Sequence, residues 1–258
     1  MERLDFDHDV FILESDRTRY VPLEGAYNVR HVGGYLTWDG RVTRPNVLFR
    51  ADSLHRLPFE SQQVLLARRV HTIVDLRDPK EQVEYPNTLI GSNGVHYCSQ
   101  PLYDSWDEFA AGEPQPIDLV RFNILLLERC PDTLAAVFAV LAVPNAFPAL
   151  VHCAAGKDRT GLVVALLLDL AGVPAETIAA DYELSNRYLE PILPEFRAYG
   201  ETIGFTAEEY DKIMSSPAAV MCETLAFLHG RFGNARSYLQ QIGLTAVQLD
   251  AIVSQLVV

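Results

Sequence analysis

The 258-residue chain has few of the residues that build disulfide or metal frameworks. Its four cysteines, Cys98, Cys130, Cys153 and Cys222, stand at no spacing that pairs them. A disulfide scaffold and a zinc site are therefore not expected, and a reducing compartment is. Basic residues are also scarce, 21 Lys and Arg against 34 Asp and Glu, for a net charge of −13. Nucleic acid needs clustered cations and is not an expected partner. The same charge disfavours permanent attachment to an anionic membrane. No stretch approaches about 18 uninterrupted apolar residues, so stable membrane insertion is not expected. The first nine residues are acidic and hold no apolar core, so no secretory signal is read there. The expectation is a cytoplasmic protein, with export without a signal peptide left open. No repeat or low-complexity linker divides the chain. It reads as one domain over residues 1–258, with a charged lead-in at 1–20.

What is present is concentrated in ten residues, His152-Cys153-Ala154-Ala155-Gly156-Lys157-Asp158-Arg159-Thr160-Gly161. An apolar run (148–151) precedes them and a longer one (162–170) follows, so the segment reads as strand, tight loop and helix. Such a loop points backbone N–H groups at one spot, and the helix N-terminus adds partial positive charge. A phosphate-like anion fits there. Thiolate is favoured by a helix N-terminus and nearby cations, which here are Lys157 and Arg159. Arg159 offers a planar fork for two anion oxygens. Gly156 permits a sharp turn and close approach. Thr160 carries a hydroxyl within reach of the sulfur, and His152 would orient the loop by hydrogen bonds. Cys98, Cys130 and Cys222 have no such neighbours and read as small apolar residues.

Around this loop the pattern is α/β. Strands are expected at 47–51, 72–76, 95–98 and 149–152, and a turn at Asp39-Gly40. Helices are expected at 58–69 and 160–171, the latter ended by Gly172, and through a helical C-terminal third. Thr206-x-x-Glu209 and Thr245-x-x-Gln248 look like capping boxes. These elements imply a mainly parallel central sheet flanked by helices, with the ligand at the carboxyl ends of the strands. Residues 99–118 carry Pro101, Pro114 and Pro116 among aromatics and acids, and the segment 99–130 could form a lid or a passive surface excursion.

The ten residues resemble the signature loop of cysteine-dependent phosphatases, HCxxGxxR[ST]G. The inner Gly-Lys-Asp-Arg-Thr-Gly resembles the bacterial tyrosine/lipid phosphatase family. Asn28-Val29-Arg30-His31-Val32-Gly33-Gly34-Tyr35 is similar to that family's NxRDxGGY element, with His31 where the pattern has Asp. The segments 48–54, 73–77 and 238–245 resemble further family motifs, so the likeness covers about residues 20–257. The resemblance implies a protein-tyrosine-phosphatase-like fold. It also implies activity on phosphotyrosine and, variably, on phosphoserine/threonine and phosphoinositides, with a phosphorylated protein or phosphoinositide as partner.

Two-step transfer through a cysteinyl phosphate is the expected chemistry. Cys153 attacks phosphorus. Arg159 and the amides of Ala154, Ala155, Gly156 and Lys157 onward hold the oxygens, and no metal or other cofactor is required. The resemblance favours Asp158, which lies inside the loop, as the general acid, with Asp75, Asp104 and Asp107 as alternatives. Asp75 could position Arg159 or Lys157, or pair with Arg77. Lys157 could meet a second phosphate, or pair with Asp158 or Asp75. A phosphate-binding module without turnover is the other reading, kept open by His31. An arsenate reductase would need resolving cysteines close by, and a sulfurtransferase a shorter loop. Oligomeric state is not legible.

Overall fold

Short, largely apolar runs supply the three central strands. A computed structural model describes residues 18–113 and 118–258. Five strands form one sheet: β1 (Arg30–His31), β2 (Leu48–Ala51), β3 (Thr72–Asp75), β4 (His96–Ser99) and β5 (Ala149–His152). Their order is β1-β2-β5-β3-β4. Only β1 runs antiparallel to its neighbour. The α/β expectation, with a mainly parallel central sheet flanked by helices, is met. β2, β3 and β5 are buried along their whole length, as parallel strands covered on both faces must be.

The helices between the strands are α1 (Phe59–Ala67), α2 (Pro79–Glu84), α3 (Trp106–Phe109), α4 (Leu119–Arg129) and α5 (Pro131–Leu141). After the sheet come α6 (Asp158–Ala171), α7 (Ala175–Leu189), α8 (Leu193–Thr202), α9 (Ala207–Met214), α10 (Ala218–Phe232), α11 (Ala235–Gln241) and α12 (Ala246–Leu256). The capping boxes at Thr206 and Thr245 are both formed. A third, Asp78 with Glu81, opens α2. Helix α6 starts two residues earlier than its expected first residue, at Asp158, an acid suited to a first turn. It ends where Gly172 adopts φ 88°. Nearly all of α6 is buried, because α4, α7, α11 and α12 surround it. Two apolar clusters lie on the two faces of the sheet, and a third, smaller one joins α7, α8 and α9.

Most of the expected lead-in at 1–20 lies outside the described residues, as do Pro114 and Pro116. The described part of 99–118 is not a bare excursion. It forms α3, and Tyr103, Trp106 and Phe109 pack together with Phe122 of α4. Among the described residues, no helix is long and apolar enough to cross a membrane.

Candidate active site

β5 ends at His152, level with Ala51 of β2 and Asp75 of β3. The segments leaving β2 and β3 brace the chain just beyond that point. Leu76 N donates to His152 O at 2.9 Å, and Ser53 N donates to Ala154 O at 2.9 Å. Gly156 adopts φ 65°, and a Cβ there would run into the Ala51 carbonyl oxygen. Only glycine serves at that point.

Each carbonyl from Ala154 to Lys157 accepts a hydrogen bond from behind the loop. Asn28 Nδ2 donates to Ala155 O at 3.0 Å and Gly156 O at 3.1 Å. Arg50 Nη2 donates to Gly156 O at 2.8 Å and Lys157 O at 3.2 Å. In a trans peptide the N–H points opposite to the C=O. Tying the carbonyls back therefore turns the following amides toward the other side, which becomes the lining of a cup. Helix α6 adds its first-turn N–H groups, since its N-cap Lys157 makes no side-chain cap. Cys153 stands at the base of this loop, 3% exposed. Thr160 Oγ1 is buried without a hydrogen-bond partner.

Arg159 is held by a fork. Its Nη1 and Nη2 reach Glu81 Oε2 and Oε1 at 2.6 and 2.9 Å. The guanidinium also lies over the Tyr103 ring, 5.4 Å from the centroid. Burial works against its charge, but Tyr103, Glu81 and Cys153 outweigh burial and hold its pKa well above the ordinary value. For Glu81 burial is likewise outweighed, by the Arg159 pair, and the carboxyl sits below its ordinary value.

The other expected residues take diverse positions. Lys157 is buried. Its Nζ donates to Ile213 O and Ser215 O, and stands 3.1 Å from Asp158 Oδ2. Asp158 also accepts from Tyr182 Oη at 2.7 Å. Asp75 is wholly buried and pairs with Arg77, whose Nη2 is 2.6 Å from Oδ2, and it accepts from Tyr97 Oη. Burial would raise its pKa, but His152, Arg77 and Tyr97 overcome burial and lower it. Of the options open to Asp75, the pair with Arg77 is the one formed. Arg77 Nη1 in turn donates to Ser53 Oγ and Tyr85 O, which braces the layer beneath the loop. His152 contacts Cys153 O through Nδ1 and Asn87 Nδ2 through Nε2. Burial lowers its pKa, against the opposing pull of Asp75, whose Oδ2 stands 3.4 Å from Nε2. Asp104 and Asp107 are exposed on the 99–113 segment.

His31 accepts from Gly33 N at Nδ1, 3.1 Å away. An aspartate makes the same contact, two residues on, in an Asx-turn.

Sequence reasoning missed Glu81, Arg50, Asp181 and the cover formed by α8 and α9. Tyr27, Leu193, Phe196, Phe205 and Ile213 pack in one apolar cluster with Ala155 of the loop. Glu81 had a readable signal: a D-P-x-E cap directly after β3, at the carboxyl edge of the sheet.

The tyrosine phosphatase family model matches residues 21–258. The chain belongs to the tyrosine phosphatase family. It is similar to a tyrosine-protein phosphatase from Nostoc commune, 29% identical over 210 residues, which is 79% of this chain and 71% of the relative. It is also similar to the triple specificity protein phosphatase PtpB of Mycobacterium tuberculosis, 27% identical, covering 88% of this chain and 95% of the relative. A putative tyrosine-protein phosphatase from Cupriavidus necator is 26% identical over 62% of this chain and 60% of its own. The family accounts for the phosphatase fold.

Proposed function

We propose that the chain hydrolyses phosphotyrosine through a cysteinyl phosphate, and that phosphoserine/threonine and phosphoinositides are further substrates. The Cys153 thiolate attacks phosphorus, an S–P bond forms and the bond to the leaving oxygen breaks. Asp158 gives its proton to that oxygen. Water then attacks the phosphorus, Asp158 takes a proton from it, the S–P bond breaks and inorganic phosphate leaves. Arg159 and the inward amides carry the charge that builds on the three equatorial oxygens.

The observation that supports this reading is the set of loop carbonyls tied back by Ser53, Asn28 and Arg50, which leaves an amide-lined cup over Cys153. Glu81 on the fork of Arg159 marks where an anion is favoured, so substrate phosphoryl oxygens must share or displace that carboxylate. The test is turnover of para-nitrophenyl phosphate. Activity that survives a chelator, is blocked by vanadate and disappears in Cys153→Ser supports the scheme. Phosphate binding without turnover would leave a binding module.

A further inference from the structure

One carboxylate stands behind two of the three groups that hold the loop, Asn28 and Arg50. Asp181 of α7 is 1% exposed. Its Oδ2 receives Arg50 Nη1 at 2.6 Å. Its Oδ1 receives Arg30 Nε at 3.1 Å and Tyr35 Oη at 2.9 Å, and its carbonyl receives Arg30 Nη2 at 2.7 Å. Arg50 then extends Nη2 to Gly156 O and Lys157 O. Arg30 extends Nη1 to Asn28 Oδ1, which turns the amide so that Nδ2 faces Ala155 O and Gly156 O. Two routes run from Asp181 to the loop, one through Arg50 and one through Arg30 and Asn28.

We infer that Asp181 is a positioning residue for catalysis: through Arg50 and the Arg30–Asn28 pair it fixes the loop carbonyls outward and so the amides inward. The inference rests on the reading of Cys153 as the nucleophile. A merely structural ion pair would support the fold without setting the loop. Yet both arginines, 0% and 1% exposed, turn a further nitrogen to the loop or to the residue that grips it, Arg50 through Nη2 and Arg30 through Nη1, while Arg50 Nε is buried without a partner. The buried set carries two cations and one anion. Its excess positive charge is matched by the loop's carbonyl dipoles. Burial and repulsion from Arg30 lower the pKa of Arg50, and the Asp181 carboxylate opposes that lowering. Without Asp181 the two guanidiniums repel and release their hold.

The sign of one measurement separates the two roles. Arg50, Arg159, Tyr103 and Tyr182 all interact electrostatically with Cys153. Neutralising Asp181 makes that surrounding more positive, which acting through space alone favours the thiolate and moves the alkylation midpoint to lower pH. Loss of the inward amides disfavours the thiolate and moves it to higher pH. In Asp181→Asn, the pH of half-maximal Cys153 alkylation by iodoacetamide is expected to rise by about one unit, and kcat/KM for para-nitrophenyl phosphate to fall at least about tenfold. Arg50→Lys keeps the buried cation but lacks the fork, and is expected to move both readouts the same way. It carries the test where Asp181→Asn does not fold. A midpoint that falls or stays put in a variant whose melting curve is cooperative overturns the inference. The alkylation readout needs no turnover. Absence of hydrolysis by the wild type would overturn the catalytic reading alone, and the clamp would still be decided by the midpoint.

Discussion

Lys157 Nζ stands 2.6 Å from the carbonyl oxygen of Ile213, at the end of α9. With Ser215 O and Asp158 as its other partners, the ammonium ties the signature loop to the junction of α9 and α10. It has no exposed face to offer a second phosphate. Lys157→Met is therefore expected to lower stability by about 3 kcal/mol, the scale for breaking a buried charged pair. The ratio of specificity constants for a soluble phosphoinositide and a phosphotyrosine peptide stays unchanged. A selective fall of about tenfold in the phosphoinositide arm would assign the lysine to substrate instead.

Asp158 has partners on both oxygens, Tyr182 and Lys157. To donate a proton it must release one of them. If it serves as the acid, its loss matters most where the leaving group is poor. Asp158→Asn is expected to lower kcat for phenyl phosphate by about 10²-fold and for para-nitrophenyl phosphate far less. Equal losses on the two substrates, with an unchanged pH profile, would remove Asp158 from that role.

Gly156 combines a positive φ with a Cβ position already filled by the Ala51 carbonyl. Gly156→Ala is expected to displace the loop and lower kcat/KM by about 10²-fold, the scale of small misplacements in a reacting site. Vanadate affinity should fall with it. Tight vanadate binding by the variant would mean that the loop tolerates the methyl group.

Asp52 accepts from Tyr27 N and Asn28 N, yet burial outweighs these donors and pushes its pKa up to about 6 from 3.8. A raised carboxyl favours the fold in its protonated form. That contribution is full below about pH 4 and is lost as the pH rises through about 6, by roughly 3 kcal/mol for a shift of this size. Denaturation between pH 4 and 7 should therefore give a wild-type stability that falls relative to Asp52→Asn across this window. A constant difference would place the carboxyl's titration elsewhere.

The signature loop was legible because its chemistry is contiguous. Strand, turn glycine, cysteine, arginine and helix all lie within residues 149–171. The parallel strands were legible for the same local reason, as short buried runs bounded by turns. Glu81 carried a local cap signal, but its pairing with Arg159, 78 residues away, was not legible, and nothing local marks Asp181, whose partner Arg50 lies 131 residues away. Lys157 and Asp75 were visible as charges beside the loop, but composition does not say which way a charge turns. Residues 99–118, described as far as 113, read as a lid or a passive excursion because their prolines and acids are obvious. Their packing depends on Phe122, whose contribution appears only once the rings are stacked together.

The outward carbonyls have a consequence for any attempt to transplant this chemistry. A peptide copying residues 149–171 would contain every letter of the motif and nothing to restrain its backbone. Its carbonyl oxygens could swing round and repel the very anion that the amides are meant to greet. The anion hole is specified from several places at once: residues 28–53 and 181 write the half that the ten-letter string leaves out.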